Sequence, residues 1–278
     1  MGRVMIVGSG PVGLGLALIL ARYGVSSVVL TAEDGPRSDS AGGFAWLPPG
    51  LDLLDWLGLA DGFAARGSWR NGHELWAGGR RRFVLPYARP DTPNGKVLDL
   101  PQAEAEALLE REALATGRVE IRRRQVPVAL LDREREAALR VRGPGGEYDL
   151  AADYAVACGP EGAMLRDWLG IPVDTDEAGS EALVADVETE EDQPLGRSRL
   201  VLDCVRPHAF FPFAPRRLRF LSQVNPGERV AYTVAPQRAA VLLRALRPDL
   251  VIRRVLWAQP SRPRAVHGRR FRQGRWLL

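Results

Sequence analysis

Gly8, Gly10 and Gly13 stand at G-x-G-x-x-G spacing near the start of the chain, and no other residues combine type and spacing so clearly toward a chemistry. That chemistry is phosphate recognition rather than bond making. Gly8 allows a tight turn, Gly10 lets backbone approach a pyrophosphate with no Cβ in the way, and Gly13 lets a helix pack close to the preceding strand. A helix starting there offers free N–H groups and the positive end of its dipole. The expected cradle is therefore Gly8, Ser9, Gly10, Pro11, Val12 and Gly13. Other constellations fail on spacing. His73, His208 and His267 lie far apart with no ligand-type pairing, so no metal is expected. Ser9 is not in a G-x-S-x-G elbow and has no evident partner histidine. Cys158 ends an apolar run and reads as an inert buried thiol. No catalytic residue is assigned.

The elements around the glycines give them their meaning. An apolar strand, Val4 to Val7, precedes them, and an apolar helix to Tyr23 follows. Gly24 stops that helix and Val28 to Leu30 forms a second strand, the βαβ context a dinucleotide cradle needs. Thr31 to Gly43 reads as a loop, Leu51 to Leu57 as a short amphipathic helix, and His73 to Tyr87 as a hairpin turning at Ala77 to Arg80. Leu100 to Thr116 carries a helical stripe with Pro101 at its start. Strands follow at 119–122, 126–131, 138–142, 148–150 and 154–158. From about Thr175 the chain changes to short β-like runs bounded by Pro and Gly, interrupted by one helix at Pro236 to Leu246. This pattern predicts an α/β fold: a Rossmann-type dinucleotide domain from 1–70, 98–175 and 266–278, and an inserted, mostly antiparallel β substrate domain from 71–97 and 176–265.

The formal charge of +4 invites a nucleic-acid reading, which the distribution discourages. Lys96 is the only lysine, and arginine is spread along the whole chain. The clusters Arg80 to Arg82, Arg122 to Arg124 and Arg216-Arg217-x-Arg219 lack interleaved aromatic platforms, so they read as solvated faces. No apolar run reaches the ~18 residues that span a bilayer, and the N-terminus runs into a strand without a signal pattern. Two cysteines are too few for a disulfide framework. A cytoplasmic protein with no membrane partner and no nucleic-acid partner is expected.

Four segments in order carry a family resemblance. They are Val4 to Leu30; Leu47-Pro-Pro-Gly-Leu-Asp-Leu-Leu-Asp-Trp-Leu-Gly58; Leu98-Asp-Leu-Pro-Gln102-Ala-Glu-Ala-Glu106; and Ala152 to Cys158 through Arg166-Asp-Trp-Leu-Gly170. The chain resembles the FAD-dependent aromatic hydroxylases of the para-hydroxybenzoate hydroxylase type, the group A flavoprotein monooxygenases. The resemblance implies that Gln102 contacts the flavin dinucleotide and that Arg166 belongs to the cofactor site. The family's acidic ribose ligand falls on Thr31, with Glu33 two residues on. Its Asp-Gly pair falls on Gly159-Pro160, with Glu161 displaced by two, and its serine falls on Ala163. The family's GD motif, which would follow Arg270-Phe-Arg-Gln-Gly-Arg275, lies beyond Leu278, so the chain is expected to be truncated before it.

The resemblance further implies that the cofactor carries the hard chemistry, with NAD(P)H as reductant and O2 as co-substrate. The expected function is FAD-dependent hydroxylation of an aromatic or polyketide-type small molecule. Phe211 and Phe213 are the expected substrate-pocket walls, with Trp76, Phe83, Tyr87, Phe210 and Phe220 as further aromatic candidates. A partner chain supplying the C-terminal part belongs to this expectation. The alternative is a non-catalytic homologue that binds FAD weakly or serves as an interaction module.

Overall fold

The computed structural model describes residues 3–35, 43–87, 95–176, 180–225, 227–228, 235–262 and 265–278. The chain divides into two compact units, Met1–Ser38 with Ala103–Asp176 and Val266–Leu278, and Asp39–Gln102 with Glu177–Ala265.

The first unit is built on β1 (Arg3–Val7), α1 (Pro11–Arg22) and β2 (Ser26–Leu30). β1 pairs in parallel with β2 on one side and with β12 (Tyr154–Ala157) on the other. β8 (Val119–Arg122) extends the sheet beyond β2; β21 (Trp276–Leu277) and β20 (Arg272–Gln273) extend it beyond β12. Met5, Ile6, Val28, Val29 and Leu30 are wholly buried, which explains why these strands read as unbroken apolar runs: a parallel sheet is covered on both faces. One cover is α1, through Leu14, Ala17 and Leu18. The other is an antiparallel meander of β9 (Val126–Leu131), β10 (Ala137–Gly143) and β11 (Gly146–Ala152), whose Leu139, Val141 and Leu150 share a core with Met5, Val7 and Val28. α4 (Gln102–Ala115), α5 (Pro160–Trp168) and a two-stranded ribbon of β13 (Val173–Asp176) and β19 (Ala265–Gly268) complete the neighbourhood.

The second unit centres on a seven-stranded sheet. Its order is β18 (Ile252–Ser261), β14 (Ala182–Thr189), β17 (Arg217–Gln223), β16 (His208–Ala214), β15 (Ser198–Val201), β5 (Gly72–Ala77), β6 (Arg80–Pro86). Every pairing is antiparallel except β15 with β5. α6 (Pro236–Leu246) lays Ala239, Ala240 and Leu243 on Leu183, Ala185, Phe210 and Phe220. A smaller sheet sets β7 (Val97–Asp99) between β3 (Ala45–Trp46) and β4 (Ser68–Arg70), beside α2 (Pro48–Leu57) and α3 (Ala60–Ala64).

The fold is therefore α/β, with a Rossmann-type parallel sheet and a mostly antiparallel one. The unit boundaries differ from the expected 70/71 and 97/98 division: residues 39–70 and 98–102 lie with the second unit. The reason is pairing. β3 and β4 both bond to β7, and Phe44 packs its ring on Phe211 and Phe213.

Candidate functional site

The glycine turn sits at the carboxyl end of β1. Gly8 has φ 114°, a left-handed conformation that disfavours any side chain, and its N–H donates to the Leu30 carbonyl at 2.9 Å. Gly10 caps α1 with extended backbone and no side-chain cap, and the first helical turn holds no acid. The first-turn N–H groups thus lack an internal acceptor, and exposed Val12 leaves that end accessible. Two glycines are required for different reasons. A Cβ on Gly13 would lie 2.0 Å from the Gly8 carbonyl oxygen, so the turn itself forbids it. A Cβ on Gly10 would meet only Glu106 Oε1, at 3.9 Å. The protein leaves that space open, and an uncapped helix end facing an open space fits a pyrophosphate.

At the end of β2 the geometry is less accommodating. Thr31 is 1% exposed; its N–H donates to the Arg122 carbonyl at 3.1 Å, and its carbonyl accepts from Gln125 N–H at 2.8 Å. Its hydroxyl accepts the Glu33 N–H at 3.2 Å, so it caps its own turn rather than reaching outward. Glu33 and Asp34 are the exposed carboxylates at this point. The Glu33 carbonyl accepts from Arg124 N–H, and Arg124 pairs with Asp34 at 3.0 Å. Gln102 Oε1 accepts the Gly43 N–H at 2.9 Å. Glu106, one turn further along α4, is buried.

Gly159 caps α5 at φ 76°, again without a side-chain cap. Ala163 and Arg166 line a 290 Å³ cavity with Gly159, Arg270, Phe271 and Leu278, and the Arg166 guanidinium donates to Asp167 Oδ1 at 2.9 and 3.1 Å. The side chain of Glu161 lies outside the described residues.

The second unit presents a polar and aromatic face that the sequence did not announce. Across β18, β14, β17 and β16, Trp257, Asp186, Arg219 and Phe211 stand in register. Arg219 grips Asp186 through two bonds of 2.7 and 2.9 Å, and Trp257 Nε1 donates to the same carboxylate at 3.1 Å. Both ion-pair side chains are buried, so Arg219 departs from the solvated face expected for its cluster. Asp186 supplies the reason: removed from water, each charge requires the other. A second buried pair, Arg70 with Asp99, has bonds of 2.8 and 2.9 Å. Arg70 also donates to the Tyr87 hydroxyl at 2.8 Å; that hydroxyl bonds His73 Nε2 at 2.6 Å, and His73 Nδ1 bonds Ser198 Oγ. Phe44 lies between the two arginines, with Phe211 and Phe213 centroids 5.8 and 5.9 Å away.

Burial, then the Arg70 cation, lowers the His73 pKa and favours the neutral ring. Burial raises Tyr87 and Asp99, with Arg70 pulling each the other way. Of the expected walls, Phe211 is half-buried here and Phe213 is 5% exposed among rings. Phe210 and Phe220 lie in the core under α6. The signal that was available for this face is Asp186 itself, a lone acid inside the apolar run Leu183-Val-Ala-Asp-Val187.

A family model described as an FAD binding domain matches residues 1–278. The 12-dehydrotetracycline 5-monooxygenase/anhydrotetracycline 6-monooxygenase of Streptomyces rimosus subsp. rimosus is 30% identical over 99% of this chain and 56% of its own length. The 3-(3-hydroxy-phenyl)propionate/3-hydroxycinnamic acid hydroxylase of Mycolicibacterium smegmatis is 29% identical over 99% and 49%. Among solved structures, p-nitrophenol 4-monooxygenase PnpA from Pseudomonas putida DLL-E4 superposes with TM-score 0.87 at 24% identity, over 100% of this chain and 72% of that one. The OxyS anhydrotetracycline hydroxylase from Streptomyces rimosus gives 0.79 at 27%, over 99% and 55%. The chain spans about half the length of the curated relatives it matches.

Proposed function

The chain belongs to the FAD binding domain family, and on that premise we propose that it acts in flavin-dependent hydroxylation of an aromatic or polyketide-type small molecule, with NAD(P)H as reductant. The observation that carries the reading is the contrast between Gly13, required by the turn's own packing, and Gly10, whose missing side chain leaves room for nothing in the protein. When bound, FAD supplies the redox chemistry, accepting electrons from the nicotinamide and activating oxygen.

The chain's own residues bind and orient. The N–H groups after Gly10 hold the pyrophosphate, and Glu33 takes the ribose hydroxyls in place of Thr31, whose hydroxyl is turned inward. Gln102 and Arg166 complete the cofactor side. On the second unit, Phe211 with Phe44 offers ring faces to a planar substrate, and Phe213, buried behind them, backs the Phe44 ring. The Tyr87 hydroxyl, fixed by Arg70 and His73, keeps a lone pair to accept from a substrate hydroxyl.

The test is flavin titration of the purified chain by quenching of FAD fluorescence. Gly10→Val is expected to leave the unfolding midpoint unchanged and to weaken FAD at least about 100-fold, because the branched side chain fills the phosphate's place. Unchanged affinity would sink the reading. A second reading, a homologue that holds FAD weakly, is favoured by Thr31 and Gly159 standing where the family has carboxylates. Wild-type protein that retains no flavin through gel filtration, and forms no hydroxylated product with FAD, NADPH and phenolic substrates, would favour it.

A further inference from the structure

The sheet face opposite Arg219 and His73 carries a second constellation that the proposed hydroxylation leaves unused. Across β5, β15, β16 and β17, Glu74, Arg199, Phe210 and Phe220 stand in register, so strand alternation puts them on the side away from Phe211 and His73. A 410 Å³ cleft opens over this row, walled by Asn71, Arg199 and Arg247 and floored by Phe210, Pro212 and Leu218. That volume lies within the range of small-molecule sites.

Arg199 is the unusual member. Its guanidinium lies 4.1 Å from the Trp76 ring centroid, and among the described residues no hydrogen bond or ion pair engages it. Its cross-strand neighbour Glu74 is instead held by Trp76 Nε1 at 3.0 Å and by Arg81 at 3.1 Å. Arg247 reaches the same cleft from the end of α6, kept in place by two bonds to Asp249 and by the Phe210 ring 5.2 Å away. Burial, then the neighbouring Arg247 cation, lowers the Arg199 pKa, with the Glu74 and Asp249 carboxylates pulling the other way. Glu74 on the cleft wall and Asp249 on Arg247 offset part of this positive charge, but both carboxylates are held by other donors, Glu74 by Trp76 and Arg81 and Asp249 by Arg247, which leaves the Arg199 fork for an incoming anion. A guanidinium packed flat on an aromatic ring keeps its in-plane N–H fork free for a planar oxyanion.

We propose that this cleft binds a small organic oxyanion, its carboxylate or phosphate on Arg199 and Arg247 and its apolar body against Phe210, Pro212 and Leu218. The site shares no residue with the glycine cradle, so its occupancy is separable from flavin binding.

Calorimetric titration of the full chain with benzoate, phenyl phosphate and neutral benzamide tests this. Saturable binding of one or both anions is expected, with none for benzamide, and the tighter anion identifies the headgroup. Arg199→Gln is expected to weaken the anion at least tenfold while FAD binding and the unfolding midpoint stay as in wild type. Arg247→Gln provides the same readout should the first variant not fold, and Arg216→Gln, altering an exposed cation on Asp192, should change nothing. Absence of saturable anion binding to the wild type would overturn the proposal. So would benzamide binding as tightly as benzoate, or folded Arg199→Gln and Arg247→Gln proteins that both bind like wild type.

Discussion

The glycine turn of the first unit and the arginine-bearing face of the second build their sites in opposite ways. The turn works through missing side chains. Gly8 bends where a Cβ is disfavoured, a Cβ on Gly13 would lie 2.0 Å from the Gly8 carbonyl oxygen, and the first-turn N–H groups are the proposed phosphate donors. The sheet face works through side chains alone. Asp186, Arg219 and Trp257 come from three strands, while Arg70, Tyr87 and His73 come from a small sheet and a hairpin. A backbone site is local in the chain and survives as a spacing. A site of charged side chains is assembled by register, and leaves in the sequence only isolated polar residues in apolar surroundings.

That contrast can be broken most forcefully at Gly13. Gly13→Val is expected to destabilise the chain by about 3 kcal/mol or more, because the new atoms meet the Gly8 backbone and the buried Ile6 side chain, and the turn backbone has no room to yield. Thermal unfolding would check it, and a midpoint like that of Gly10→Val would erase the distinction between the two glycines.

On the sheet face, Asp186→Asn should cost about 3–5 kcal/mol, since it leaves the Arg219 charge buried without its partner. The matched change Asp149→Asn, at an exposed pair with Arg140, should leave the unfolding midpoint near that of the wild type. Urea denaturation of both variants compares them directly; similar losses would show that burial is not what gives the Asp186 pair its weight.

A smaller effect is expected at the end of β2. Glu33→Gln should weaken FAD by about 1–2 kcal/mol, roughly 5- to 30-fold, while Thr31→Val leaves FAD affinity nearly unchanged. The reverse ranking in a fluorescence titration would return the ribose contact to Thr31.

The smallest expected effect is a slope with pH. His73 holds its proton less readily in the fold than in the unfolded chain, whose ordinary value is 6.5. Its contribution to stability is therefore complete above that value and is lost as pH falls from there through the lowered folded value. Wild-type stability should decline over that window, and His73→Gln should flatten the decline, as followed by urea midpoints between pH 5 and 7 on the scale of ordinary histidine titration.

Much of the first unit was legible because its physics is local. The apolar runs of β1 and β2, the glycine spacing and the stop at Gly24 all act within a few residues, and the observed strands fall at the expected places. The helix at Pro236 to Leu246 and the hairpin turning after Ala77 were legible for the same reason. The position of residues 39–70 was not. Their partners, Val97–Asp99 for β3 and β4 and Phe211 for Phe44, are distant in the chain, and nothing in a local pattern states which distant strand will be met.

By itself the sequence determined the βαβ opening, the α/β class and the glycine turn, because glycine conformations and apolar periodicity act at short range. Only the tertiary structure decided which way Thr31 turns its hydroxyl. It alone sorted such arginines as the buried partners of Asp186 and Asp99, Arg199 over its cleft with no ion pair among the described residues, and the exposed Arg216. A guanidinium has the same composition, charge and local propensity in all three settings. What differs is how much water remains around it and which carboxylate the strand register brings within 3 Å, roughly the reach of a charge-assisted hydrogen bond.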